Sequence, residues 1–140
     1  MGISKRSRGV LPSLKGVVAA KACLFPWVSS PEHAEALSLR EALQFSGDMS
    51  FNHLQMECDA LELVQSLGRT TADTSSIGSL VEDCKAILAL LPTTSIMHIS
   101  RMANKAAHRL AQLSLTLTSA STWSWDMGKK NFDEGLCTKL

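Results

Sequence analysis

The first 31 residues contain no aspartate or glutamate, although Lys5, Arg6, Arg8, Lys15 and Lys21 all lie within them. This segment therefore carries a charge of about +5, whereas the whole chain has a formal charge of only +1. So small a net charge gives no general attraction to nucleic acid. The basic segment is either a solvated arm or a set of non-specific contacts to phosphate groups.

The sequence also has no long apolar run and no C-x-x-C pair. A membrane-spanning helix needs roughly 20 consecutive apolar residues, so we expect no membrane partner. The four cysteines, Cys23, Cys58, Cys84 and Cys137, are widely spaced, which favours free thiols over a zinc site. Without a clear signal peptide, this pattern predicts a reduced, intracellular protein, and nothing distinguishes nucleus from cytoplasm.

The composition is that of one globular domain, with 45% hydrophobic and 19% charged residues in a chain of 140. A chain of this length buries about 68% of its unfolded surface around a single core. We expect a basic arm or strand remnant at residues 1–15, a domain at 16–118 and a tail at 119–140.

Short apolar runs alternate with amphipathic segments along the chain, a pattern typical of α/β folds. The expected strands are 16–22, 51–58 and 94–100. The expected helices are 31–45, 60–67, about 79–91 and a last one after Asn104, which can cap it. Ser30 is a candidate N-cap with Pro31 in the first turn, and Ser79 with Glu82 forms a candidate capping box.

Two carboxylates stand out against this pattern. Glu35 shares a helical face with Leu39, Ala42 and Leu43, where an ionised group is costly unless something pairs with it. A metal ion is one such partner, and a first-turn acid favoured by the helix dipole is the alternative. Asp59 ends a strand and is either a ligand there or, with Glu62, a capping box.

Three separated segments carry a family resemblance. They are Ala34-Glu35-Ala36-Leu37-Ser38-Leu39-Arg40-Glu41-Ala42-Leu43, then Met56-Glu57-Cys58-Asp59, then the pattern formed by Arg101, Asn104, Ala107, His108, Leu110 and Ala111. In this order they resemble the ribonuclease H-like domain of many plant proteins derived from retrotransposon reverse transcriptases. The resemblance covers roughly residues 15–125.

The resemblance implies a three-layer α/β fold with a mixed central sheet. It also implies hydrolysis of the RNA strand of an RNA–DNA hybrid by a pair of Mg²⁺ ions. Glu35 and Asp59 would be metal ligands and His108 a nearby catalytic residue, while Arg101, Asn104 and Lys105 would contact nucleic acid. From the residues alone, His108 is an acid/base residue near the metal, a weak metal ligand or a polar helix residue capped against Asn104. Arg101 and Asn104 either contact phosphate or cap and brace the helix.

One family feature is missing, namely the acid supplied by the first strand. Residues 7–18 resemble the second strand and its turn into the third, so we expect the domain to be truncated at its N-terminus. Because the first strand is central in this architecture, its loss leaves unpaired strand edges. The basic arm then substitutes in part, the neighbouring strands close up, or the chain folds poorly. We expect hydrolysis to be weak or lost; a non-catalytic nucleic-acid or protein interaction module and a truncated relic are the alternatives.

Overall fold

The computed structural model describes residues 2–5, 17–51, 53–116, 118–124 and 136–139. Within these residues the chain forms one mixed sheet of six strands and four α-helices. The strands are β1 (Gly2–Lys5), β2 (Val17–Ala22), β3 (Leu54–Cys58), β4 (Ser95–His98), β5 (Ser121–Ser124) and β6 (Leu136–Lys139). The helices are α1 (Pro31–Asp48), α2 (Leu61–Leu67), α3 (Gly78–Ala89) and α4 (Lys105–Ser114), with a 3-10 helix at Arg101–Ala103 before α4.

The strands lie in the order β4-β3-β6-β1-β2-β5. β3 is parallel to both β4 and β6, whereas β1 is antiparallel to both β6 and β2, and β2 is antiparallel to β5. The sheet is therefore parallel on one side of β6 and antiparallel on the other. This arrangement confirms a mixed α/β architecture.

The strand directions bring several chain segments to one edge of the sheet. β2, β3, β4 and β6 all end at this edge, because β3, β4 and β6 are mutually parallel and β2 runs the same way through its pairing with β1. The segment that leads into α1 follows β2, Asp59 follows β3, and the 3-10 helix follows β4. We call this the carboxyl edge.

The central position of β6 was not expected from the sequence. We predicted a tail at residues 119–140 and a gap beside β3, filled by the basic arm, by closure of the neighbouring strands or not at all. Instead β5 and β6 both belong to the sheet, and β6 pairs with β3 and β1 at once. The expectation of unpaired edges at this place is wrong, because a segment distant in sequence supplies the backbone hydrogen bonds.

The start of α1 forms as the sequence predicts. Ser30 is the N-cap, its side-chain oxygen accepts a hydrogen bond of 3.1 Å from the His33 backbone N–H, and Pro31 occupies the first turn. The helix continues to Asp48, three residues beyond the predicted end at Phe45. Leu39 and Leu43 are fully buried, and each contributes about 1.5–3 kcal/mol of hydrophobic stabilisation.

The described core joins α1, β3, α2 and α3. Its buried members include Leu39, Leu43, Leu54, Met56, Leu63, Val81 and Cys84. In α3, Leu80, Val81 and Cys84 are buried, and Ile87, Leu88 and Leu91 pack against the core. α1 contacts α3, and α4 packs against β1 and β2.

Two predicted capping boxes are wrong. α2 has Ala60 at its N-cap position and α3 has Ile77, and neither helix has a side-chain cap. Asp59 is drawn instead to Arg101. Glu82 accepts hydrogen bonds from the Asp73 backbone and from Lys85, so it is not available to Ser79.

Several sequence expectations fall on residues that the structure does not describe. They concern Arg6 and Arg8 of the basic arm and the side chains of Ala107 and Leu110 in α4, whereas the neighbouring Ala111 is exposed. In the part of the chain that is described, no helix combines the length and apolar character needed to span a membrane.

Candidate functional site

Glu35 and Asp59 come together at the carboxyl edge. Glu35 lies in the second turn of α1, one turn before the buried Leu39, and its side chain is half-buried. Asp59 directly follows β3, and its side chain is 20% exposed. Both line one open cavity of about 1050 Å³. The structure therefore brings two of the sequence-predicted site residues to one place.

The two carboxylates affect each other electrostatically. Burial raises the pKa of Glu35 above its ordinary value, and the negative charge of Asp59 raises it further. Arg101 opposes this shift. Because like charges repel where solvent is partly excluded, a cation between Glu35 and Asp59 would relieve an existing cost.

Arg101 is the cation that faces this pair. Its Nε lies 3.4 Å from Asp59 Oδ2, and its side chain is 78% exposed. An ion pair this long and this exposed contributes at most about 1 kcal/mol. Arg101 is therefore a partner of Asp59 that an incoming ligand can displace at small cost.

Further acidic residues border the same cavity. Glu32 and Glu62 line it, and their charges also raise the pKa of Glu35. Hydrogen bonds from its own backbone and from Ser30 lower the pKa of the exposed Glu32, so this residue stays ionised. The cavity is thus negative around Glu35, with Arg69 on its outer lining.

The donor set fits one hydrated cation better than two. Among the residues that the structure describes, no group of three histidine, cysteine or acidic side chains is placed to hold a metal ion. Glu35 and Asp59 supply hard oxygen ligands, which suit Mg²⁺, an ion that keeps several of its waters. They do not supply the ligands of a pair of ions roughly 4 Å apart.

His108 lies on a different surface from these carboxylates. It is exposed on α4 and lines a second cavity, of about 430 Å³, with residues of α1 and of the segment after β2. Its backbone N–H donates to the Asn104 carbonyl in a bond of 3.1 Å. The described contacts thus show His108 as a helix residue above Asn104, and its catalytic role stays a prediction.

Asn104 joins the 3-10 helix to α4. Its backbone N–H donates to the Arg101 carbonyl, and its own carbonyl accepts from His108. The side chain is only 3% exposed, and its Oδ1 has no hydrogen-bond partner among the described residues. The expected side-chain cap is therefore not formed through Oδ1, and bracing of the turn fits Asn104 better than contact with phosphate. Lys105, the next residue, is exposed.

Glu57 is buried although the period-two pattern of β3 gives no sign of it. That pattern places Glu57 on the face opposite Met56. It is only 7% exposed. Strands with parallel neighbours are covered on both faces, a feature that the pattern of a single strand does not reveal.

Sequence reasoning missed an ion pair in the second cavity. Lys21 Nζ lies 3.0 Å from Glu41 Oε2, and the Cys23 sulfur lies 3.9 Å from the same oxygen. Burial alone lowers the pKa of Lys21, but the hydrogen bond and charge of Glu41 raise it overall, and burial raises the pKa of the Cys23 thiol. No local signal links Lys21 and Glu41, which belong to β2 and α1.

Two comparisons with known proteins bear on this geometry. The sequence matches a protein-family model described as reverse transcriptase-like over residues 4–114. A search of curated proteins finds no match. The matched span contains Glu35, Asp59, Arg101, Asn104, Lys105 and His108.

Proposed function

Since the chain belongs to the reverse transcriptase-like family, a ribonuclease H-like family, we propose that it binds RNA–DNA hybrids and cleaves them weakly or not at all. The observation that carries this proposal is the pairing of Glu35 with Asp59 at the carboxyl edge. In this proposal Glu35 and Asp59 are what remains of a metal site, and the lack, among the described residues, of a third side chain placed to bind the same ion accounts for a low rate.

The missing ligand follows from β6, which lies beside β3, and from β1, the next strand in the sheet. β6 and β1 contain the residues Leu-Cys-Thr-Lys and Gly-Ile-Ser-Lys, with no acid in either. The position next to Asp59 where the family has its first-strand acid therefore offers no described carboxylate.

Glu35 and Asp59 would hold one Mg²⁺, which when bound supplies charge neutralisation for a phosphate group. The chain's own residues then act mainly in binding. Arg101 and Lys105 are exposed at the turn that follows β4, where cations can contact the backbone phosphates of a hybrid. Arg101 also screens Asp59 when no ligand is present.

The alternative is a non-catalytic interaction module, favoured by the placement of His108. Glu35 and Asp59 line one cavity and His108 lines the other, so the three predicted catalytic residues do not share one cavity. In this alternative the fold persists and only its basic residues contact a partner.

The test measures binding and cleavage of a labelled RNA–DNA hybrid by the purified chain. We expect binding that weakens steeply as salt rises, because phosphate contacts release counterions. We expect Mg²⁺-dependent cleavage to be orders of magnitude below that of a complete two-metal site. Asp59→Asn should abolish the remaining cleavage without weakening binding in the absence of Mg²⁺.

Asp48→Asn is the matched control, since Asp48 is an exposed carboxylate at the far end of α1. This variant makes the same change of charge and should cleave like the wild type. If the wild type cleaves measurably and Asp59→Asn cleaves at the same rate, the proposed site is excluded. Failure of a folded chain to bind hybrid at low salt would exclude the nucleic-acid function.

A further inference from the structure

β6 is the one described strand that connects the two parts of the sheet. On one side of it β3 pairs with β4, and on the other side β1 pairs with β2 and β2 with β5. In the described sheet no other pairing joins these groups. Without β6, both β3 and β1 would present a row of unsatisfied backbone N–H and C=O groups.

We infer that the gap between β3 and β1 is a strand-binding site, and that residues 136–139 fill it as a replaceable strand. The site accepts an extended peptide that runs parallel to β3 and antiparallel to β1. This inference concerns assembly of the fold and does not depend on the proposed function.

The register shows how complete the pairing is. All four residues of β6 have a partner in β1, from Lys5 opposite Leu136 to Gly2 opposite Lys139. The same four residues have partners in β3, from Leu54 opposite Leu136 to Glu57 opposite Lys139. Because β6 is paired on both sides, each of its backbone N–H groups points toward a neighbouring strand.

The chain connection permits β6 to reach the site from its own molecule. β5 runs opposite to β6, so the end of β5 and the start of β6 lie at the same edge of the sheet. Two strands separate them, a lateral distance of roughly 14 Å at the usual strand spacing. The eleven residues between Ser124 and Leu136 could extend over about 36 Å.

β1 and β2 are attached to the rest of the molecule by contacts other than β6, which supports the view that β6 is separable. Helix α4 packs against β1 and β2, and the segment after β2 leads into α1. The packing of α4 and the connection to α1 hold β1 near β3. Neither provides hydrogen-bond partners for the backbone N–H and C=O groups that β1 and β3 direct at each other. The site is therefore framed by elements that other contacts position, and β6 completes it.

The test introduces proline into the full chain as Thr138→Pro. Thr138 lies opposite both Ile3 and the fully buried Met56, and proline removes a donor from a strand paired on both sides. We expect the cooperative thermal unfolding transition to be lost. Thr70→Pro is the control, since Thr70 is exposed in the loop after α2 and should leave the transition in place.

A peptide with the sequence of residues 133–140 should then restore the transition in the Thr138→Pro chain. A tethered strand has an effective concentration in the millimolar range, so restoration is expected at about millimolar peptide under reducing conditions. The same peptide with proline at the position of Thr138 should have no effect. No restoration by the wild-type peptide overturns the inference.

Amide hydrogen exchange of the wild-type chain tests the inference without a substitution that could prevent folding. We expect the amides of residues 136–139 to exchange at least about a thousandfold more slowly than those of an unstructured peptide, as in a cooperatively folded core. Exchange at the unstructured rate overturns the inference. A dimer that dissociates only when Thr138→Pro is introduced would assign the strand to a second copy and overturn its placement in the same molecule.

Discussion

The ionised form of Glu35 destabilises the folded state. Its carboxyl group is half-buried on α1 next to Asp59, and burial and that charge together raise its pKa. A group whose folded pKa is raised contributes most to stability below its unfolded pKa near 4.5, and that contribution is lost as pH rises through the higher folded value. Residues that lower stability in this way are common at functional sites.

Glu35→Gln should therefore raise the midpoint of thermal unfolding at pH 7, by a few degrees at most. The difference from the wild type should shrink at pH 4, where Glu35 binds a proton in both folded and unfolded states. Unfolding followed by circular dichroism at both pH values checks this expectation.

Glu32→Gln is the internal control, three residues earlier in the same helix. The pKa of Glu32 is lowered by hydrogen bonds, so its contribution is present at pH 7 and lost as pH falls. This substitution should lower the midpoint at pH 7. If both variants shift the midpoint in the same direction, the unfavourable placement of Glu35 is refuted.

The pairing of Glu35 with Asp59 was expected from the family resemblance and not from the residues alone. The residues alone left a first-turn acid as the alternative for Glu35 and a capping box as the alternative for Asp59. The sequence was also insufficient for Asn104 and Glu57. Their burial depends on which elements cover them, and neither a helix period nor a strand period contains that information.

At the scale of elements, the start of α3 depends on a close approach by the preceding loop. Gly78 is buried and opens α3, and its backbone N–H donates to the Ser75 carbonyl. A methyl group placed on Gly78 would overlap the carbonyl oxygen of Asp73. The loop before α3 therefore packs directly on the first helical residue.

Gly78→Ala should lower the free energy of unfolding by about 1–3 kcal/mol, since the Asp73 backbone has to shift. Gly47→Ala is the matched control, because nothing lies within 4 Å of the added methyl group in the last turn of α1. This control should raise the free energy of unfolding by about 0.5–1 kcal/mol through better helix propensity. Urea denaturation measures both, and equal effects would contradict the packing described for Gly78.

This contact also explains which helix starts could be predicted. Ser30 caps α1 through its own side chain, so Ser30 and Pro31 contained the signal. α3 begins where the preceding loop packs against a glycine, and Glu82 accepts a hydrogen bond from that loop instead of from Ser79. A capping-box pattern does not show that another segment competes for the glutamate side chain.

On the scale of the whole molecule, the order of strands and helices from β2 to α4 followed the predicted one. The order of the strands within the sheet could not be predicted, because β6 pairs with strands that are distant in the sequence. A four-residue strand has little periodicity of its own, and its partner is determined by the gap it fills. Local propensity was enough to predict the elements from β2 to α4, but not the long-range pairing of β6.

The buried thiols report on the integrity of the whole fold. Cys58 and Cys84 are at most 3% exposed, and burial raises the pKa of each to about 11. At pH 8 only about one in a thousand such groups is a thiolate. We expect iodoacetamide to modify both far more slowly than Cys23, which is half-buried.

Mass spectrometry of peptides from a timed reaction distinguishes these sites. Denaturation in guanidinium should equalise their rates, and the ratio of native to denatured rates should be similar for Cys58 and Cys84 if both open only in global unfolding. Rapid modification of Cys58 in the native chain would contradict the burial of β3.

The pairing of β1 with β6 has a consequence for the time course of synthesis. β1 and β3 both precede β6 in the chain, so a nascent chain holds these two strands before their shared neighbour exists. The helices and core around α1 and α3 can form during elongation, whereas closure of the sheet has to wait until residues 136–139 leave the ribosome. During that interval the two open strands expose unpaired backbone groups, so a chain that ends before residue 136 should aggregate readily and bind chaperones.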